Sequence, residues 1–243
     1  MRSMFQSNSP SIFNSDLSLW DTSQVTDMDL MFSYCPYFDS NLSNWNTSKV
    51  TSMGAMFANT YKFNRNLSQW DVSRVTNMGS MFYHAFLSTQ FPNPSFNQDL
   101  SSWNVARVTS MSSMFRLCTN FNGNLSTWNT SLVTNMSVMF QVATLFNSNL
   151  SRWDVSRVSY IGGMFGRAYY FNGDLSSWNT STCEDMSFMF NGAYYFNSNI
   201  SAWDTSRVKY TRLPTADCPT GTRHVPCIRQ NTAQSPCHII FIT

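Results

Sequence analysis

Apolar positions recur along this chain with one long period, and polar letters fill the spaces between them. Leu17, Trp20, Thr22 and Val25 set a frame, L-x-x-W-x-[TV]-x-x-V, that returns throughout. Around Trp20 to Thr22, alternate residues must face opposite sides, which predicts a short extended segment. Val25, Met28, Met31, Phe32 and Cys35 follow at spacings of three or four, the stripe of a helix, with Thr26 placed to cap it. Gly54, Gly79, Gly162 and Gly163 weaken helix propensity in this stretch, so the expectation is one or two turns, 3-10 in places. The turn back runs through "FN", whose Asn suits side-chain bonding to the backbone.

Every tryptophan marks one unit. Trp20, Trp45, Trp70, Trp103, Trp128, Trp153, Trp178 and Trp203 are separated by 25, 25, 33, 25, 25, 25 and 25 residues. The one long interval holds an insertion near 86–93, within "AFLSTQFPNPSF". A single unit of this size cannot bury its own Trp, Met and Phe, whereas stacked units cover one another. Eight units at the strand spacing would make a stack roughly 38 Å long. The fold expected is therefore an α/β repeat solenoid of leucine-rich-repeat type, with short parallel strands on one face and short helical or 3-10 turns on the other. It should cover residues 1–208 as a monomer. Met1, Met4 and Phe5 already occupy M-x-x-M-F slots. In 209–243 Met and Trp vanish and Pro and Cys appear, so this tail is either an irregular cap or the product of a wrong or truncated reading frame.

Two polar columns fit stacking. The residue after each Trp alternates between Asp21, Asn46, Asp71, Asn104, Asn129, Asp154, Asn179 and Asp204, with no two aspartates in succession. The column before Leu, from Asp16 and Asn41 to Asp174 and Asn199, behaves likewise. Like charges on adjacent strands repel, and amides can form ladders.

Composition narrows the functional classes. With 12% charged residues, a net charge of +2 and 16% aromatics, the chain is neither a disordered polyelectrolyte nor an electrostatic nucleic-acid binder. Its apolar runs are too short for a transmembrane segment, and "MRSMFQSNSP" lacks the apolar run of a signal peptide.

Segments such as "DLSSWNVARVTSMSSMF" resemble the repeat of the BspA-like leucine-rich repeat surface proteins over approximately residues 1–208. That resemblance implies a cell-surface or extracellular solenoid used for adhesion or protein recognition, with no cofactor.

Catalytic chemistry finds little support. His84, His224 and His238 are the only histidines, and no G-x-S-x-G, phosphate loop or H-E-x-x-H occurs. The expectation is a protein that is not an enzyme. Cys35 and Cys118 fall in a slot that is elsewhere Ala, and Cys183 replaces a Val, so all three read as buried. Cys218, Cys227 and Cys237 allow one disulfide if the chain is secreted, and with His224 and His238 they match no zinc spacing. The Asp/Asn columns could attract Ca²⁺, but the acids are diluted by Asn, and solvated columns are the simpler reading. Thr22, Thr47, Thr130, Thr180 and Thr205 share a slot with valines, which argues against an exposed water-ordering array. Nine N-x-[ST] sequons arise largely from the repeat itself.

A repeat scaffold binds through the positions that vary. Before Trp these include Gln69 and Arg152. Before Val they run Gln24, Lys49, Arg74, Arg107, Leu132, Arg157, Thr182 and Arg207, a mildly basic stripe. Asp71–Arg74, Asp154–Arg157 and Asp204–Arg207 could pair along the chain, with little gain in stability. Phe86 and Phe91 on the insertion are the other candidates, since loop irregularities project from binding faces. The function expected is recognition of a protein or glycan ligand through the strand face. The alternative is a structural spacer or a Ca-stabilised envelope component.

Overall fold

The computed structural model describes residues 1–7, 10–85, 91 and 93–209. Among them the chain winds in coils, taken here as 14–38, 39–63, 64–96, 97–121, 122–146, 147–171 and 172–196, flanked by partial ones. The expected α/β leucine-rich-repeat solenoid is not what forms. There is no helix and no extended strand among the described residues. In place of strands, single parallel bridges pair consecutive coils, as Asp27 with Ser52, Ser52 with Asn77, and on to Tyr160 with Asp185.

The units are built of successive β-turns, and this explains why the spacing looked helical. Trp20 N–H donates to Leu17 O, Val25 to Thr22, Met31 to Met28, Ser33 to Leu30, Cys35 to Phe32 and Phe38 to Cys35, all three residues back. Apolar residues at the first and fourth positions of such turns recur every three or four, as they would along a helix face. Continuing as a helix is blocked because Leu30 and Tyr34, each the third residue of its turn, have φ of +58° and +62°. The same slots are left-handed in Ala55, Ser113, Leu117, Val138 and Val142, as a type II turn requires. Between turns, alternate N–H groups leave the coil. Met28, Leu30, Phe32 and Tyr34 donate to Ser52, Gly54, Met56 and Ala58 O of the next coil. Backbone polarity is thus shared between turns within a coil and bonds across coils.

Small polar residues start the turns. In the columns before Leu and after Trp, Asp or Asn Oδ1 accepts the N–H two residues on, from Asp16 to Ser18 and Asp21 to Ser23 through Asp204 to Ser206, at 2.8–3.2 Å. These columns are local Asx-turns rather than ladders between coils. The ladder is the Asn of "FN": Asn14, Asp39, Asn64, Asn97, Asn122, Asn147 and Asn172 each accept the backbone N–H of the equivalent residue one coil later, at 2.8–3.1 Å.

The core is a set of files. Phe32, Phe57, Phe82, Phe115, Phe140, Phe165 and Phe190 stack face on face at 5.6–5.8 Å. A second file, Phe38 to Phe196, runs beside it, its rings 3.8–4.1 Å from the first within each coil. The insertion does not break the register: Phe82 and Phe115 are 5.6 Å apart like their neighbours.

Tryptophan has a polar reason to be fixed. Each indole Nε1–H from Trp45 to Trp203 donates to the Leu carbonyl of the preceding coil, at 2.9–3.2 Å. That carbonyl also accepts its own turn's N–H, so both lone pairs are used. Trp128→Phe should therefore cost about 1–2 kcal/mol, measured by urea unfolding, and Trp20→Phe in the half-buried first position should cost less.

Candidate functional site

The basic column lies at turn corners, not on a strand face. Lys49, Arg74, Arg107, Arg157 and Arg207 are each the third residue of a turn closed by Val N–H, as in Val75 to Val72. Gln69 and Arg152 occupy the same place in the L-x-x-W turns. All seven are exposed, because the turn directs its outer residues away from the buried first and fourth positions. Lys49 Nζ reaches Gln24 Oε1 at 2.7 Å. Asp71, Asp154 and Asp204 spend a carboxylate oxygen on the serine two residues on. Among the described residues none of the three expected Asp–Arg pairs comes within 4 Å; the ion pairs are Arg2–Asp27, Arg65–Asp39 and Lys209–Glu184. Lys49, Arg74 and Arg107 thus form an exposed file on successive coils. The Asx-turn hydrogen bonds from serine hold Asp21 and Asp204 below the usual carboxylate range, as they do Asp71 and Asp154, where the neighbouring arginine adds a smaller effect.

Phe91 stacks on Tyr61 at 5.1 Å, so part of its apolar surface is used internally. Phe86, Leu87, Pro92 and the tail with Cys218, His224, Cys227, Cys237 and His238 lie outside the described residues. Cys35, Cys118 and Cys183 are buried free thiols. Each donates to a carbonyl of the preceding coil, and burial pushes Cys35 up to about 11 and Cys183 to about 12. Thiols so raised are poor nucleophiles. Thr22, Thr47, Thr130 and Thr180 are buried as well, and their hydroxyls donate to the next coil, as Thr22 to Asn46 O and Thr130 to Asp154 O. Among the described residues no three His, Cys, Asp or Glu side chains gather as a metal site, and no helix is long and apolar enough to cross a membrane.

Two features escaped the sequence reading. A groove of about 670 Å³ runs from the end of the Met–Phe segment of coil 64–96 across to coil 172–196, lined by Arg116, Gln141, Gly163, Arg167, Asp185 and Phe188 among others. Its signal was the concentration of Gly162, Gly163 and Gly166 in one unit. Beyond it, Tyr169 stacks on Tyr194 at 5.2 Å and Tyr170 on Tyr195 at 5.3 Å, all four exposed. The doubled "AYYF" was its signal.

Residues 1–94, 87–173 and 118–215 each match the family described as "Mycoplasma protein of unknown function, DUF285". The chain belongs to this family. Three overlapping matches along one DUF285 chain mark it as a repeat protein. No curated protein and no solved structure matches it.

Proposed function

We propose that this DUF285 chain is a non-enzymatic recognition module of a cell-surface protein, akin to the BspA-like proteins its repeat resembles, and that it binds an extended acidic ligand. The observation that carries this reading is the file of Lys49, Arg74 and Arg107. Three cations stand on consecutive turn corners, exposed, with no carboxylate within 4 Å among the described residues. Equivalent Phe rings of neighbouring coils lie 5.6–5.8 Å apart, so a linear ligand carrying regularly spaced carboxylates or sulfates, an acidic glycan above all, can meet several at once. Such contacts favour association rate and salt-sensitive affinity rather than deep burial. The division of labour in the unit agrees: inward Trp, Met and Phe are nearly constant while the corner residues vary.

The test is surface plasmon resonance with a heparin-derived octasaccharide and with polyglutamate, comparing the full chain with the triple variant Lys49→Gln, Arg74→Gln, Arg107→Gln. Affinity should fall by about tenfold or more, and its dependence on salt should flatten. If the wild-type chain binds neither probe, or the triple variant binds equally well, the reading fails and a structural spacer is the better account.

A further inference from the structure

The groove on the other segment of the coils has the chemistry of a ligand site independent of the basic file. In coil 147–171 three outward positions carry no side chain: Gly162, Gly163 and Gly166 stand where the preceding coil has Ser137, Val138 and Gln141 and the next has Ser187, Phe188 and Asn191. They form the floor of a notch in a groove that runs from Ala85 and Arg116 to Phe188 and Asn191, and the Asp185, Val138 and Gln141 side chains lean in over them.

Polar groups are aimed into it. A Cβ on Gly162 would lie 2.7 Å from Asp185 Oδ2. The Asp185 carboxylate therefore lies over Gly162 at the groove floor, with its Oδ1 held by Ser187 N–H at 2.8 Å. Arg116 Nε donates to Gln141 Oε1 at 2.7 Å, and the Arg116 guanidinium is itself fixed over the Tyr83 ring. That contact turns the Gln141 amide so that Nε2 points at the glycine floor, 3.6 Å from where a Gly163 Cβ would be. Arg167 lines the same space, its Cγ resting against Gly192, and no ion pair within 4 Å joins it to Asp185 among the described residues. Two residues along the chain from Arg167 begins the exposed Tyr169–Tyr194 and Tyr170–Tyr195 platform.

We infer that this notch and its tyrosine platform bind a neutral oligosaccharide. Sugar hydroxyls donate and accept at once, which suits a carboxylate acceptor opposite amide and guanidinium donors. The apolar C–H faces of pyranose rings suit Phe188 and the tyrosine rings, which offer large amphipathic contact area. A purely apolar ligand would bury Asp185 and Arg167 without partners, and a polyanion would meet the Asp185 carboxylate. The groove as a whole, about 670 Å³ from Ala85 to Asn191, lies within the ordinary range of small-ligand sites.

The test is isothermal titration of the full chain with hexasaccharides of glucose, mannose, galactose and N-acetylglucosamine, and with a tyrosine-rich decapeptide. Gly166→Gln fills the notch with the residue found one coil earlier. Asp185→Asn removes the charge yet keeps the Asx-turn, as Asn135 does in its own coil. At least one hexasaccharide should bind with a Kd at or below about 1 mM. Gly166→Gln and Asp185→Asn should each weaken it by about tenfold, with the melting temperature of Asp185→Asn held. The triple variant of the basic file should leave it unchanged, so failure here is separable from failure of the acidic-ligand reading. Absence of hexasaccharide binding to the wild-type chain, binding undiminished in both variants, or binding of the peptide alone would overturn the inference.

Discussion

Phe140→Ala should destabilise the chain by about 4 kcal/mol, read as a lower urea midpoint at an unchanged slope. Phe140 is fully buried and sits in the middle of the inner aromatic file. Its ring contacts Phe115 at 5.7 Å and Phe165 at 5.8 Å in the adjoining coils, and Phe146 at 3.8 Å and the Trp153 indole at 6.2 Å. Removing it opens a void that adjacent coils cannot close, because their own hydrogen bonds fix the coil spacing: Phe140 N–H donates to Met164 O at 2.9 Å and Phe115 N–H to Met139 O at the same distance. Phe13 is the comparison. It is only half buried, stacked on Phe5 at 4.3 Å near the first coil, and Phe13→Ala should cost about 1–2 kcal/mol. Equal losses at the two positions, or less than about 1 kcal/mol at Phe140, would mean that the file does not carry the stack.

The buried set was legible and the backbone was not, for one physical reason. Burial at Leu42, Trp45, Val50, Met53, Met56 and Phe57 depends on which positions repeat, and repetition is written plainly in the letters. Whether Met28 and Met31 are joined by a helical or a turn geometry depends on φ at Leu30. A leucine in the left-handed region goes against its intrinsic preference, so nothing in that residue announces it. Seven coils impose it through bonds such as Leu30 N–H to Gly54 O, a tertiary effect that local propensity does not contain. The Asx columns failed for a related reason. Asp and Asn alternate as charge-avoiding neighbours would, yet each reaches its own chain two residues on, since Ser at that place brings an N–H within range. The exposure of the basic corner residues was legible because variation in a fixed frame is visible. The groove was not legible because Gly162, Gly163 and Gly166 speak first of helix propensity, when their consequence is that the Asp185, Val138 and Gln141 side chains can lean in over the backbone.

Acid should weaken this chain well above the pH at which its carboxylates titrate, and His84 should be the cause. The side chain is buried, packed at 4.6 Å on the Tyr61 ring, and its Nδ1 has no hydrogen-bond partner among the described residues. Burial lowers its pKa from 6.5 to about 3, while the neighbouring Tyr61, pushed up to about 12, stays neutral. The folded chain therefore holds His84 uncharged down to about pH 3, whereas the unfolded chain takes up a proton below about 6.5. Between those values the unfolded state binds more protons, so stability falls as pH falls, by up to roughly 4–5 kcal/mol over the whole window. The aspartates act lower. Asp16, Asp21, Asp71, Asp154, Asp174 and Asp204 are all held below 3.8 by serine hydrogen bonds; their contribution is present above that value and lost only as pH drops through the lowered folded pKa. The two sources thus separate along the pH axis. Melting temperature followed from pH 7 to about pH 4.5 should decline in the wild-type chain. It should stay nearly flat in His84→Leu, which takes the residue of the equivalent slot one coil on, Leu117. A wild-type profile already flat over this range, or a variant that declines in parallel with it, would show that His84 is not the acid-sensitive group.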